Sequence, residues 1–121
     1  IQLKTKISPE IHAKIREDDW VCICSNLIDN ALKYSKAKGR VNVELKASKK
    51  HIIFIVKDYG IGIPQNEIKK IGDRFYRGTN SGRVRGTGLG IAIVKQIVSS
   101  YKGSFSITSE QNKGTVVRVE L

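Results

Sequence analysis

Residues 51–64 read HIIFIVKDYGIGIP, and this stretch decides the fold of the chain. Its first part, residues 51–57, is dense in β-branched and aromatic side chains, which is typical of a strand in the centre of a sheet. Asp58 follows directly, and an aspartate at the end of a buried strand can accept a hydrogen bond from an exocyclic amine. Gly60 and Gly62 let the backbone approach a flat ring closely. A run of this kind is short and common, so taken alone it is explained equally well by a simple turn.

Alternating apolar and polar residues predict further strands on both sides of this stretch. Residues 40–48 are expected to form a hairpin with the central strand across the polar turn that follows them. Residues 1–7, 104–110 and 115–121 show the same period of two, and residues 11–16 are a further short candidate.

Apolar residues at helical spacing predict a first helix over residues 20–34, with Asp18 or Asp19 as its N-cap. A second clear helix is predicted over residues 89–101, and Pro64 marks the start of another between the two. Because the strands sit in hairpins with helices between them, we expect an α/β (α+β) two-layer sandwich. Its sheet is expected to be mixed and largely antiparallel, with about five strands covered on one face by about three helices.

Length and charge limit the remaining possibilities. The chain has 121 residues, so it fits a single domain, residues 1–121, that buries a core of its own. It begins at Ile1 without a Met, and we expect it to be part of a longer protein. The net charge of +11 implies an anionic ligand or partner, but the basic residues are scattered with no aromatic row between them, so no nucleic acid is expected. Cys22 and Cys24 are interpreted as small core residues of the first helix.

A polar stripe lies along the first helix. Asn26, Asn30 and Lys33 are spaced i, i+4 and i+7, so they share one face. Two carboxamide oxygens and an ammonium are costly to bury in a core, but they suit a hydrated Mg²⁺ ion and a chain of phosphates. A face turned to solvent explains the same spacing, and the helix alone leaves both interpretations open.

A glycine-rich turn, GTGLGI at residues 86–91, opens the second helix. Backbone N–H groups and the positive end of the helix dipole at such a turn suit a phosphate. The turn is not a dinucleotide-binding fingerprint, because a loop precedes it instead of a strand, and it lacks the Gly-Lys-Ser/Thr of a P-loop. Three segments therefore predict one pocket, namely residues 26–30, 58–62 and 86–90.

Taken in order, the segments NLIDNALKYS, DYGIGIP, FYRG, GTGLGIAIVKQIV and GT resemble the catalytic ATP-binding domain of bacterial sensor histidine kinases. The wider group, the GHKL superfamily, also contains gyrase B, MutL and heat-shock chaperone ATPases. The match covers nearly the whole chain and implies the Bergerat (GHKL) fold, with ATP and Mg²⁺ as ligands. The resemblance places the N box at 26–34, the first glycine box at 58–64, the F box and ATP lid at 75–85, the second glycine box at 86–91 and the third at 114–115.

The resemblance also implies a role for each matching residue. Asn26 and Asn30 are expected to hold Mg²⁺, and Asp58 is expected to receive the adenine amino group. Asn30, Lys33 and Arg77 are expected to serve the catalytic step. The positions expected to contact the nucleotide are Asn26, Asn30, Lys33, Tyr34, Asp58, Gly60, Gly62, Ile63, Tyr76, Arg77, Gly86, Thr87, Gly88, Leu89, Gly90 and Thr115.

Asn26 discriminates between two reactions. In the ATP-hydrolysing relatives a glutamate one turn before the key asparagine activates water, and Asn26 stands at that position here. A neutral amide is not a general base, so phosphoryl transfer to a side chain supplied from elsewhere is favoured over hydrolysis. Neither His12 nor His51 lies in the family's acceptor pattern, so the phosphoacceptor histidine is expected on an upstream dimerisation domain. We expect this chain to bind ATP without phosphorylating itself.

Two alternatives share this pocket. The first is a serine kinase of the anti-sigma-factor type. The F box sequence from Phe75 to Arg77 favours a sensor kinase over this alternative. The second is a docking domain that binds nucleotide without transfer, which the intact Asn30 and Asp58 disfavour. Packing in the core explains Phe75 as well as contact with nucleotide does.

The lid, residues 78–85, is rich in glycine and poor in apolar anchors, so we expect it to be poorly ordered without nucleotide. We expect a monomeric fragment of a homodimeric parent that signals through a response regulator. This domain is expected in the cytoplasm and the parent in the cell membrane.

Overall fold

The computed structural model describes residues 2–7, 14–35, 39–48, 51–65 and 90–121. Strands and helices alternate along these ranges. In chain order they are β1 (Gln2–Ile7), α1 (Glu17–Tyr34), β2 (Arg40–Ser48), β3 (His51–Asp58), α2 (Gly90–Ser100), β4 (Ser104–Glu110) and β5 (Gly114–Glu120).

The predicted strands β1 to β5 are confirmed to within one residue at each end. The candidate strand at residues 11–16 is wrong where it can be judged, because residues 14–16 form a bend and an irregular lead into α1. The carbonyl of Arg16 accepts the first hydrogen bond of the helix, from the Trp20 N–H at 3.0 Å, so it is not available to a strand partner. Residues 11–13 lie outside the described residues.

Helix α1 begins earlier than predicted, and its N-cap is Arg16, which makes no capping hydrogen bond through its side chain. Asp18 and Asp19 were expected at the cap but lie in the first turn, where the helix dipole also favours carboxylates. Asp19 accepts a hydrogen bond of 2.6 Å from the hydroxyl of Tyr101, which itself accepts the Arg16 N–H at 3.1 Å. This link from the end of α2 explains why the helix start lies where it does.

Helix α2 confirms the second predicted helix. It begins at Gly90 and ends at Ser100, and Leu89, the predicted first residue, lies outside the described residues. Gln65 is helical, in agreement with a helix start at Pro64, and the residues from 66 to 89 lie outside the described ranges.

The five strands form one sheet in the order β1-β2-β3-β5-β4. Strands β1 and β2 are parallel, and every other neighbouring pair is antiparallel, which confirms the mixed, largely antiparallel sheet. In this order β3 lies between β2 and β5, so Asp58 at its end is opposite Val41 on one side and Thr115 on the other. The fold thereby places two polar residues of distant segments side by side.

Helices α1 and α2 pack on the same face of the sheet, which confirms the two-layer sandwich. The ring of Trp20 in α1 lies 5.4 Å from that of Phe54 in β3, measured between centroids. Each fully buried aliphatic side chain contributes about 1.5–3 kcal/mol to stability. The most deeply buried side chains are Ile23 and Leu27 of α1, Val94 and Val98 of α2, and Val41, Val56 and Val119 of the sheet. Neither of the two described helices combines the length and the hydropathy that a membrane span requires.

Candidate functional site

Asp58 stands at the end of β3 and is only 6% exposed. Its Oδ1 atom accepts the N–H of Gly60 at 2.9 Å, and the backbone N–H of Thr115 also donates to this carboxylate. Burial raises the pKa of Asp58 above the ordinary value for an aspartate, while these two hydrogen bonds act in the opposite direction. The carboxylate is therefore poorly hydrated, and a hydrogen-bond donor that enters the site would stabilise its charged form.

The loop after Asp58 packs tightly against the C-terminal end of α1. The N–H of Ile61 donates to the carbonyl of Tyr34 at 3.1 Å. At Gly60 an added Cβ would lie 1.9 Å from the same carbonyl oxygen, so only glycine allows this contact. The first and second predicted segments of the pocket are thus joined through backbone atoms.

The same loop is held from its other side by the turn between β4 and β5. The N–H of Asn112 donates to the carbonyl of Ile61 at 2.7 Å. Gly114 has a φ of +135°, and a Cβ there would lie 2.1 Å from the carbonyl oxygen of Asp58. A residue with a side chain is excluded at this position both by the backbone conformation and by the contact. The loop is therefore fixed between a helix end and a strand turn.

A small polar cluster closes this end of the site. Ser109 is 4% exposed and Thr115 is 8% exposed. The hydroxyl oxygen of Ser109 lies 2.7 Å from the backbone nitrogen of Ile63, 2.9 Å from the carbonyl oxygen of Gly114 and 2.7 Å from Oγ1 of Thr115. Gln65 also donates through its side chain to the carbonyl of Ser109. The predicted residues Ile63 and Thr115 are thereby brought together through a serine.

The sequence analysis did not identify Ser109. Its signal was present, because Phe105 and Ile107 occupy the core-facing positions of β4 and Ser109 follows at the same period of two. A serine at a core-facing position needs hydrogen-bond partners, and this one finds them in two other segments.

Asn26 on α1 reaches the start of α2. Its Nδ2 atom donates to the carbonyl of Cys22 at 2.8 Å and lies 3.3 Å from the sulfur of the same residue. With the amide nitrogen engaged in this way, Oδ1 faces the N-terminus of α2, where a Cβ added at Gly90 would lie 2.9 Å from it. Parts of the first and third predicted segments thus meet, with an amide oxygen at the junction.

The other residues of the polar stripe are more open. Asn30 is half-buried and Lys33 is exposed, and neither side chain hydrogen-bonds to another residue within the described ranges. Tyr34 is half-buried, and its backbone carbonyl is the group that binds the loop after β3. The stripe therefore keeps polar groups available beside the start of α2.

Several predicted site residues lie outside the described ranges. They belong to the F box, the lid and most of the second glycine box. They are Phe75, Tyr76, Arg77, residues 78–85, Gly86, Thr87, Gly88 and Leu89. His12 is also outside these ranges, and His51 is exposed at the start of β3.

Tyr59 lies within the first glycine box but on the other face of the sheet. Its ring is 4.6 Å from the guanidinium carbon of Arg40 and 5.0 Å from Nζ of Lys57, and its hydroxyl accepts the Asn42 amide at 3.3 Å. The hydrogen bond from Arg40 and the charge of Lys57 lower the pKa of Tyr59. Its side chain is therefore not part of the candidate site.

The two cysteines are free thiols. Cys24 packs against the core, and burial raises the pKa of its thiol to about 11, so it stays protonated near neutral pH. This agrees with the expected core role. Cys22 is partly exposed and contacts the Asn26 amide, a contact that the sequence did not predict.

Comparison with known proteins places these features in context. A family model described as "Histidine kinase-, DNA gyrase B-, and HSP90-like ATPase" matches residues 15–121. The sensor histidine kinase WalK of Bacillus subtilis is 37% identical over 117 residues, and the sensor protein CiaH of Streptococcus pneumoniae is 39% identical over 116 residues. These matches cover 93% and 92% of this chain but only 19% of WalK and 26% of CiaH, so the chain spans about a fifth to a quarter of these relatives.

Solved structures agree with the sequence matches. The mycobacterial sensor histidine kinase MprB is 30% identical, with a TM-score of 0.89, and the likeness covers 99% of this chain and 82% of that one. Full-length ShkA in complex with AMPPNP is 25% identical, with a TM-score of 0.84 over 98% of this chain and 25% of ShkA.

Proposed function

This chain belongs to the family of histidine kinase-, DNA gyrase B- and HSP90-like ATPases, as the catalytic ATP-binding domain of a sensor histidine kinase, and we propose that it donates the γ-phosphate of ATP to a histidine on an upstream dimerisation domain. The observation that carries the proposal is the buried carboxylate of Asp58 at the end of β3, which accepts the Gly60 N–H and lies beside Thr115 in the sheet. The ShkA complex with AMPPNP supports the choice of a nucleotide as ligand.

The adenine is proposed to bind against Asp58. Its exocyclic amino group is a hydrogen-bond donor, and a desolvated carboxylate gains more from such a donor than a hydrated one does. Gly60, Gly62 and Ile63 would line the ring, because the backbone of this loop is fixed closely against α1 and the turn after β4. Thr115 would complete the floor of the site beside Asp58.

The residues of the polar stripe fit a magnesium ion. Mg²⁺ prefers oxygen ligands and keeps several waters, and the Asn26 amide presents its oxygen because its nitrogen is held by Cys22. Asn26 and Asn30 would hold the ion, which when bound would neutralise charge on the phosphates. Lys33, exposed on the same face, would reach a phosphate oxygen as a point charge.

Phosphoryl transfer is favoured over hydrolysis by Asn26. A carboxamide cannot take a proton from an attacking water, so this chain lacks a general base at the position where the hydrolysing relatives carry one. The rest of the phosphate site is proposed to come from Tyr76, Arg77 and residues 86–90, with Tyr34 beside the nucleotide. The chain as a whole, residues 1–121, would then be one catalytic domain.

The parent protein is proposed to be a homodimeric membrane sensor with this domain in the cytoplasm. The acceptor histidine would lie on the dimerisation domain, and a response regulator would take the phosphoryl group from it. The relatives that this chain matches are sensor kinases, which favours a histidine over a serine as the acceptor. They also favour an enzyme over a docking domain.

Calorimetric titration of the chain with ATP, with and without Mg²⁺, tests the proposal. We expect Mg²⁺-dependent binding that Asn30→Ala and Asp58→Ala each weaken by about tenfold or more, the loss expected for a hydrogen bond to a charged group. Ser106→Ala, on the exposed edge of β4, is the matched control. If neither site substitution weakens binding, the site is assigned wrongly.

Labelled ATP tests the transfer step. We expect no stable label on the isolated chain, and label on the parent's dimerisation domain when that domain is supplied separately. Stable label on this chain alone would contradict the proposed division of labour.

A further inference from the structure

We infer that Ser109 is a positioning residue that sets the specificity for the base, because it turns the Thr115 hydroxyl into a hydrogen-bond acceptor next to Asp58. The two acceptors together would then recognise an exocyclic amino group and reject a carbonyl oxygen at the same place. This inference rests on the proposed function, and it adds a residue and a mechanism of discrimination to it.

The first step concerns the Ser109 hydroxyl, which has three partners but only one proton. It has that one proton to donate and two lone pairs to accept with. The backbone N–H of Ile63, at 2.7 Å, can only donate to it, and the carbonyl of Gly114, at 2.9 Å, can only accept from it. The single proton of Ser109 is therefore directed to Gly114.

The second step concerns Thr115. Its Oγ1 atom lies 2.7 Å from the Ser109 oxygen, and either atom is able to donate in a pair of hydroxyls. Because the Ser109 proton is already directed to Gly114, all three contacts are satisfied together only when Thr115 donates. Ser109 then has its full complement of partners, with one bond donated and two accepted.

The third step follows for the ligand. With its proton committed to Ser109, Thr115 presents only lone pairs to anything else that approaches. Thr115 is paired directly with Asp58 across the β3–β5 ladder, so the two side chains lie next to each other on the same face of the sheet. The amino group of a 6-amino purine, or a water bound to it, can donate to these two acceptors. A 6-oxo purine instead brings a carbonyl oxygen, which is a third acceptor in this buried site.

The position of Ser109 argues against a simple packing role. It lies on the core-facing side of β4 at 4% exposure, where Phe105 and Ile107 precede it with apolar side chains. A small apolar residue would satisfy packing there, but it would leave the Ile63 N–H without its acceptor and the Thr115 hydroxyl free to rotate. The serine thus links the loop after β3 to β5, and it directs the hydroxyl proton of Thr115 toward its own oxygen.

The test compares the dissociation constants of ATP and inosine triphosphate in Mg²⁺ for the wild type, Ser109→Ala and Thr115→Val. The wild type is expected to prefer ATP. In Ser109→Ala the released Thr115 hydroxyl is able to donate to a 6-oxo group, so we expect the preference for ATP to fall by about tenfold. Thr115→Val should lower ATP affinity without weakening inosine triphosphate. Ser106→Ala, on the exposed side of the same strand, should leave both affinities unchanged.

Equal losses for both nucleotides in Ser109→Ala, or an unchanged preference, would overturn the inference. If Ser109→Ala does not fold, Ser109→Cys keeps a small side chain with a weakly accepting sulfur and carries the same expectation. Failure of the proposed function looks different, because the wild type would then not bind ATP or Asp58→Ala would have no effect. A wild type that prefers ATP through Asp58 but is insensitive at Ser109 would refute only this inference.

Discussion

Asp58 and Asn26 each offer an oxygen to the candidate site, but the structure holds the two residues by different means. The base end of the site, defined by Asp58, Gly60, Ser109 and Thr115, is held by backbone contacts and buried hydrogen bonds from three segments. The phosphate end, defined among the described residues by Asn26, Asn30, Lys33 and Gly90, rests on one helix face and the start of another.

This difference separates stability from binding. At the base end, the backbone contacts that shape the site also hold the fold together, so substitutions that disturb this packing are expected to lower both stability and binding. At the phosphate end, Asn30 and Lys33 make no side-chain hydrogen bond to another described residue, so substitutions should alter binding more than folding.

Gly60→Ala should have the largest effect of these substitutions, and this effect should be a loss of stability. The new methyl group would lie 1.9 Å from the Tyr34 carbonyl oxygen, and backbone must move to make room. We expect the free energy of unfolding to fall by about 3 kcal/mol, as for an overpacked core. Urea titration followed by circular dichroism measures it. A variant as stable as the wild type would show that the base end is not as rigid as its contacts indicate.

Asp58→Asn should weaken ATP binding without lowering the stability of the fold. Loss of the charged acceptor should weaken ATP binding by about tenfold to a hundredfold. Stability at neutral pH should not fall, because the raised pKa means that the folded state binds the Asp58 proton more tightly than the unfolded chain does. An ionised Asp58 therefore lowers the stability of the folded state. This loss of stability is relieved as the pH falls through the raised pKa and the carboxylate becomes protonated.

The pH dependence supplies the control for Asp58. Urea titrations across the acidic range should show a gain in stability from this group in the wild type, relative to Asp58→Asn, as the carboxylate protonates. ATP affinity of the wild type should fall over the same range, because a protonated Asp58 loses an acceptor. A clear loss of stability in Asp58→Asn at neutral pH would contradict the assigned direction of the shift.

Gly90→Ala should have the opposite signature to Gly60→Ala. Its new methyl group would lie 2.9 Å from Oδ1 of Asn26, which belongs to a side chain that is able to rotate. Because that side chain can move aside, the free energy of unfolding should change little. Displacement of the amide oxygen should weaken Mg²⁺-dependent ATP binding by about fivefold, measured by calorimetry. If this variant were unfolded, the expectation that substitutions at the phosphate end alter binding more than stability would be wrong.

Cys22→Ala should have the smallest effect. The Asn26 amide would lose its contact with sulfur but keep the backbone carbonyl of residue 22, which is 2.8 Å away. ATP affinity should therefore stay within about twofold of the wild type. Cys24→Ala is the matched control, because that thiol packs against the core and its loss should lower stability instead. A large loss of affinity in Cys22→Ala would mean that sulfur, and not the carbonyl, orients Asn26.

Local patterns predicted the elements well and their junctions less well. The strands agree to within one residue because alternation and turn residues are both written in the local sequence. The start of α1 was misplaced because carboxylates are favourable both at an N-cap and in the first turn, and the contact that separates the two comes from Tyr101, far along the chain. Ser109 could have been recognised as a serine at a core-facing position, but its partner Ile63 is 46 residues away and was not predictable from the local pattern.

Neighbouring residues alone are enough to predict the pattern of strands and helices, the order of the nucleotide-binding segments and the amide at Asn26. The position of β3 between β2 and β5, which sets Asp58 against Thr115, depends instead on how the distant strands assemble into one sheet. The tertiary structure also brings the oxygen of the Asn26 amide to the start of α2 and the N–H of Ile63 to Ser109. The direction of a hydrogen bond depends on its partners, and here several of those partners come from distant parts of the chain.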